Sequence, residues 1–161
     1  SRHLLYLRNG SEISGETLKR GKGFKSYCDA HGVYCETLNL GDDFDLVRGK
    51  ASVEDVLRNF IISARKTGKM RYDGIYTSTD LLAKALLEQL QFLGVEVPEE
   101  VQLVGHDGMQ WMNSGKYLVS TIVQPVPDMA RKAVELLLKK IKGEETLTIL
   151  PVEFAEGGTT R

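Results

Sequence analysis

Arg20, Asp107, Gln124 and the pair Thr79–Asp80 are the residues whose chemical types could act together on one ligand. A carboxylate accepts from two neighbouring hydroxyls, a guanidinium donates through a fixed fork, and an amide or a hydroxyl does either. That mixture suits a neutral, polyhydroxylated molecule, and Phe44 would add an apolar face for a sugar ring. Each residue also has a plainer reading. Asp80 suits the N-cap or first turn of a helix. Arg20 suits a helix-surface charge and Asp107 the start of a turn before Gly108. Gln124 before Pro125 suits a loop, and Phe44 suits core or rim packing.

His106 beside Asp107 invites a catalytic reading, a base with its orienting acid. Adjacent residues leaving a strand point in opposite directions, which works against that pairing. No serine or cysteine stands in a G-x-S-x-G turn, and no G-x-x-x-x-G-K-[ST] loop occurs. GKGF at 21–24 lies inside a helical pattern. His3, His31 and His106 lack metal-ligand spacing, and Cys28 and Cys35 are too few for a disulfide framework or a cysteine zinc site. These residues predict a binding protein with no catalysis, metal or cofactor. The one basic run, Arg65, Lys66, Lys69 and Arg71, is broken at Gly68 and reads as a solvated connection.

The elements that must position the polar groups alternate along the chain. Apolar stretches at 3–9, 33–40, 74–78, 101–105 and 117–123 read as strands. Residues 147–154 read as a last strand that Pro151 confines to an edge or crossover, and 155–161 as a loose tail. Helical patterns cover about 16–30, 52–65, 80–93 and 128–144. Gly32 and Gly94 supply stop signals, and Ser52 with Asp55 has the spacing of a capped start. Alternation with short connections predicts an α/β doubly wound parallel sheet with helices on both faces. Such sheets bind ligands beyond the carboxyl ends of their strands, which is where Thr79, Asp80, Asp107 and Gln124 fall.

Composition bounds the reading from outside. The 161 residues, 42% hydrophobic, make one domain of ordinary size. Such a chain buries about 70% of its unfolded surface without help from disulfides. Balanced charge, 21 Lys+Arg against 22 Asp+Glu, excludes a broadly basic nucleic-acid coat. No apolar run approaches the ~20 residues that span a bilayer. The expectation is a soluble cytoplasmic protein, with Cys28 and Cys35 as reduced thiols.

GVEVPEEVQLVGHDG (94–108) followed by STIVQPVPDMARKAVELLLKKIKGE (120–144) resembles the lactose/galactose repressor (LacI/GalR) family of bacterial transcription regulators. ETLKRGKGF (16–24) looks like that family's Arg-x-x-Gly-Phe helix, and YTSTDLLAKALL (76–87) like its Asn-Asp-x-x-Ala helix start. The resemblance runs essentially end to end, weakest between 40 and 72. It implies a type I periplasmic-binding-protein-like fold and a small-molecule effector, a sugar or sugar derivative. Residues 1–119 would be the C-terminal effector-binding subdomain core, and 120–161 the crossover strand, helix and last strand.

Site residues follow from the same resemblance. Arg20 matches the effector-contacting arginine, Asp107 the hydroxyl-binding aspartate, and Gln124 a polar position on the crossover strands. Thr79 stands where the family has Asn, Asp80 matches the acid beside it, and Phe44 approximates an aromatic that stacks on ligand. Glu16 replaces a Ser or Thr and His106 a Phe or Tyr, departures that point to an altered effector. An acid in the pocket favours a donor-rich or cationic one.

The resemblance further implies a homodimer whose operator DNA is held by a helix-turn-helix domain and a first subdomain that this stretch does not contain. Without that subdomain, the helix at 128–143 has to pack elsewhere or expose apolar area. The Leu-rich helix 81–93 is the candidate dimer contact, against the alternative that its own chain buries it. Two rivals share the architecture, a transport-type binding protein and a doubly wound enzyme using His106 and Asp107.

Overall fold

In a computed structural model that describes residues 2–10, 15–41, 53–109 and 117–161, the chain builds a six-stranded, mostly parallel sheet. Strand β1 (His3–Arg8) leads to helix α1 (Gly15–Ala30), and β2 (Tyr34–Asn39) to α2 (Val53–Ala64). A two-stranded ribbon, β3 (Arg65–Lys66) and β4 (Lys69–Met70), precedes β5 (Gly74–Thr77) and helix α3 (Asp80–Phe92). Then come β6 (Gln102–Asp107), β7 (Ser120–Val123), α4 (Val126–Ile141) and β8 (Glu153–Ala155). The sheet order is β2-β1-β5-β6-β7-β8, and only the β7–β8 pair is antiparallel.

Alternation along β1 decides which side each helix takes. Leu5 and Leu7 are fully buried in the main core with Leu57 and Ile61 of α2 and Leu82, Leu86 and Leu90 of α3. Tyr6 turns to the other face, where α1 passes so close that a Cβ on Gly21 would lie 2.8 Å from the Tyr6 ring. Period-two alternation therefore feeds two helix layers from one strand. Parallel register then aligns the strand ends. Leu7 pairs with Thr77, and Asp107 with Val123, so Ser78 and Gln124 emerge at the same edge of the sheet.

Several boundaries move for tertiary reasons. The strand expected at 101–105 runs on to Asp107, because His106 and Asp107 pair with Ile122 and Val123. The strand expected at 117–123 begins at Ser120, with Tyr117 contributing only an isolated bridge to Gly157. The last strand shrinks from 147–154 to Glu153–Ala155, beyond Pro151. The tail at 155–161 is not loose. Thr159 is 1% exposed; its hydroxyl donates to Leu103 O at 2.6 Å and accepts from Ser120 N at 2.9 Å.

The Leu-rich helix is used mainly inside the chain, since α3 buries Leu82, Leu86, Leu87 and Leu90 and leaves only Leu81 and Phe92 exposed among its large apolar residues. Helix α4 does the opposite. It has no buried residue, and Val134, Leu137, Leu138 and Ile141 are each more than half exposed. Cys28 is buried in α1, Cys35 is half-buried in β2, and both are free thiols. No described helix is long and apolar enough to cross a membrane.

Candidate functional site

Three side chains from three elements meet at the carboxyl edge of the sheet. Arg20 reaches across from α1 and donates through Nη1 to the Ser78 carbonyl at 2.7 Å. That bond fixes the fork and leaves Nη2 3.8 Å from Asp107 Oδ1. Gln124, one residue past β7, donates through Nε2 to the same Oδ1 at 2.9 Å. Among the described residues no hydrogen bond reaches Oδ2. Burial raises the Asp107 carboxyl above the ordinary range, while Arg20 and the Gln124 amide pull it back.

The backbone aims this carboxylate. Asp107 has φ of 115°, a left-handed geometry that costs energy for a residue with a Cβ, and Gly108 follows at φ 79°. A buried network fastens the turn from below. Asp80 is 0% exposed; its Oδ1 accepts from the Thr121 hydroxyl at 2.7 Å and its Oδ2 from Met109 N at 2.6 Å. The Thr121 hydroxyl also accepts from Gly108 N at 3.3 Å. Only glycine fits at 105, because an added Cβ would stand 2.0 Å from Asp80 Oδ1. Burial pushes the Asp80 carboxyl up, and the Thr121 and Met109 hydrogen bonds oppose that.

The remaining candidates distribute unevenly. Thr79 is the N-cap of α3, its hydroxyl accepting from Leu82 N at 3.2 Å, so the cap role considered for Asp80 belongs to its neighbour. Glu16 is exposed on the first turn of α1, one turn before Arg20, and pairs with Lys19 at 3.0 Å. Phe44 lies outside the described residues. Arg20, Asp107 and Gln124 are thus brought together, and Asp80 lies beneath them.

Sequence reasoning missed the floor of the site. Tyr6, Phe24 and Tyr76 form an aromatic cluster with ring centroids 5.3–6.0 Å apart, and the Tyr76 hydroxyl meets His106 Nδ1 at 2.7 Å. Alternate aromatics on β1 and β5 at positions in register were the available signal, since Tyr6 pairs with Tyr76. His106 therefore takes Tyr76 as its partner, while Asp107 takes Gln124 and Arg20.

Burial, reinforced by the nearby Arg20 cation, pushes His106 down to about 4. Unfolded, the ring binds a proton near 6.5, so between those values the unfolded chain holds the extra proton. This contribution to stability is present above that range and is lost as pH falls toward about 4. Acidification from neutral should cost about 2 kcal/mol through this residue, after allowing for partial solvent screening. Urea unfolding of His106→Phe alongside the parent should show that much less acid sensitivity; equal slopes would refute the assignment.

The model of the periplasmic binding protein-like domain matches residues 2–160. The chain belongs to that family. Operon repressors are among its curated relatives, which aligns it with the effector-binding domains of LacI-family regulators. It is 26% identical over 157 residues to the sucrose operon repressor of Streptococcus mutans, covering 96% of this chain and 45% of the relative. It is 37% identical over 92 residues to the ribose operon repressor of Bacillus subtilis, covering 55% of this chain and 28% of that protein. A solved periplasmic binding protein/LacI transcriptional regulator from Alkaliphilus metalliredigens, complexed with D-xylulofuranose, superposes with TM-score 0.71. The two are 29% identical, over 99% of this chain and 57% of the other. The chain spans less than half the length of these curated relatives.

Proposed function

We propose that this chain is the effector-binding part of a LacI-type transcription regulator and takes a neutral sugar or sugar derivative at the carboxyl edge of its sheet. The observation that carries the reading is the meeting of Arg20, Asp107 and Gln124, with no hydrogen bond to the second carboxylate oxygen among the described residues. Oδ2 accepts from ligand hydroxyls, and Arg20 donates from a fork already oriented by Ser78. Gln124 keeps Oδ1 occupied, so the carboxylate does not rotate away. The sugars in the names of the sucrose and ribose repressors, and the D-xylulofuranose of the solved relative, support this ligand class.

The role is one of binding without catalysis. His106 and Asp107 engage different partners and form no acid–base pair. Residues 1–119 serve as one wall of the cleft, and 120–161 as crossover elements. Ligand held between two subdomains shifts them toward a closed or open state, and differential affinity for those states changes operator binding by the same coupling. The working unit is a cytoplasmic homodimer that touches operator DNA through a separate helix-turn-helix domain. Arg20→Ala should weaken sugar binding about tenfold, the loss of one charge-assisted hydrogen bond. Calorimetric titration of the whole protein with sucrose, ribose and xylulose checks this. If none of the three binds, or if the variant binds the active one equally well, the reading fails.

A further inference from the structure

A second cavity lies on the flank of the sheet, between α1 and the edge of β1 and β2. Its volume is about 180 Å³, and Tyr6, Arg8, Leu18, Lys22, Lys25 and Thr37 line it. Arg8 is the unusual member. Strand alternation puts it on the same face as Tyr6, and it is only 6% exposed. Its Nη1 is buried and meets no hydrogen-bond acceptor among the described residues. A guanidinium stays charged at any physiological pH, so a buried fork arm without an acceptor is costly. Two further cations stand on the helix face above it. Lys25 is paired with Asp29 at 2.8 Å, whereas no ion pair among the described residues engages Lys22. Three cations share the cavity, one of them paired with Asp29, and among the described residues its lining contains no carboxylate.

We infer that this cavity is a binding site for a phosphate group, either free phosphate or a small phosphate monoester, held by Arg8, Lys22 and Lys25. A tetrahedral oxyanion supplies an acceptor to the part of the Arg8 guanidinium that lines the cavity and a counter-charge to Lys22. The cavity opens to solvent on one side, and its volume of about 180 Å³ accommodates a small anion. Tyr6 and Leu18 add an apolar wall for the organic part of a monoester. The site is separate from the Arg20–Asp107 cluster, and Tyr6 connects the two. Its hydroxyl donates to Thr17 O at 2.9 Å while its ring packs on Tyr76, beneath the sugar site.

The test follows thermal unfolding and amide chemical shifts while the chain is titrated with inorganic phosphate, with glycerol phosphate, and with chloride as an ionic-strength control. Expected are saturable shifts at residues 17–25 and 37, with a dissociation constant of roughly millimolar order, and a rise in melting temperature that chloride does not reproduce. Tighter binding of glycerol phosphate assigns the site to a monoester; equal binding assigns it to free phosphate. Lys22→Ala, an exposed change that leaves the fold alone, should weaken binding about fivefold. Arg8→Met should melt no lower than the parent without phosphate, since it removes an unpaired buried charge, and should lose the phosphate-induced gain. Absence of saturable shifts, equal binding by Lys22→Ala, or strong destabilisation of Arg8→Met without phosphate overturns the proposal.

Discussion

Asp107→Ala is expected to weaken sugar binding by about a hundredfold. Two hydroxyl hydrogen bonds to a partly desolvated carboxylate are together worth about 3 kcal/mol, and every 1.4 kcal/mol is a factor of ten. The substitution also strands the Gln124 amide, which now donates to Oδ1. Asp107→Asn is the informative companion. Asparagine tolerates the observed φ of 115° better than alanine, so it separates loss of charge from backbone strain. Its loss should be nearer tenfold, with little change in melting temperature. Calorimetry with the sugar that binds the parent decides the matter, and unchanged affinity in both variants removes Asp107 from the site.

The second large effect is on stability. Asp80→Ala should cost about 3–4 kcal/mol, because it deletes a buried acceptor from the Thr121 hydroxyl and from Met109 N. The Thr121 hydroxyl is then left in a region that water does not reach, while Met109 stands at the exposed end of the network. The penalty is reduced by relief of the carboxylate's own burial, which already pushes its proton affinity up. Asp80→Asn keeps the shape and one acceptor, and should cost about half as much. Urea unfolding with an unchanged slope is the measurement. Asp80→Ala should also loosen the Gly108–Met109 turn and so weaken sugar binding without touching the sugar. A stability loss below about 1 kcal/mol would show that the network does not hold the turn.

These two aspartates illustrate how far local chemistry reads. Asp107 was readable as a candidate ligand group from its place at the end of a buried strand, and the structure sets Arg20 and Gln124 beside it. Asp80 was legible as a special acid, yet its local reading was a helix cap. The structure gives the cap to Thr79 and turns Asp80 inward, where Gly105 makes room for it. No local pattern contains that exchange, since the room comes from a strand 25 positions away and the donors from Thr121 and Met109. The aromatic floor is similar. Tyr6, Phe24 and Tyr76 look like ordinary apolar positions until register stacks β1 against β5 and α1 over both.

The amino-acid sequence alone determined the alternation of strands and helices, the parallel sheet, and the edge at which Arg20, Asp107 and Gln124 gather. Those features arise from hydrophobic period, glycine stops and short connections, all of which are local. Only the tertiary structure decided that the tail would be stitched to β6 and β7 through Thr159. It also decided that α3 would be buried while α4 kept its apolar stripe exposed. Both helices carry leucines, spread over more than one face in α3 and along a single stripe in α4, and neither pattern says what covers them. What separates them is whether a complementary face stands opposite: α3 meets the sheet and α2, and α4 has no buried residue. Burial depends on a partner surface, and partner surfaces are set by the whole fold.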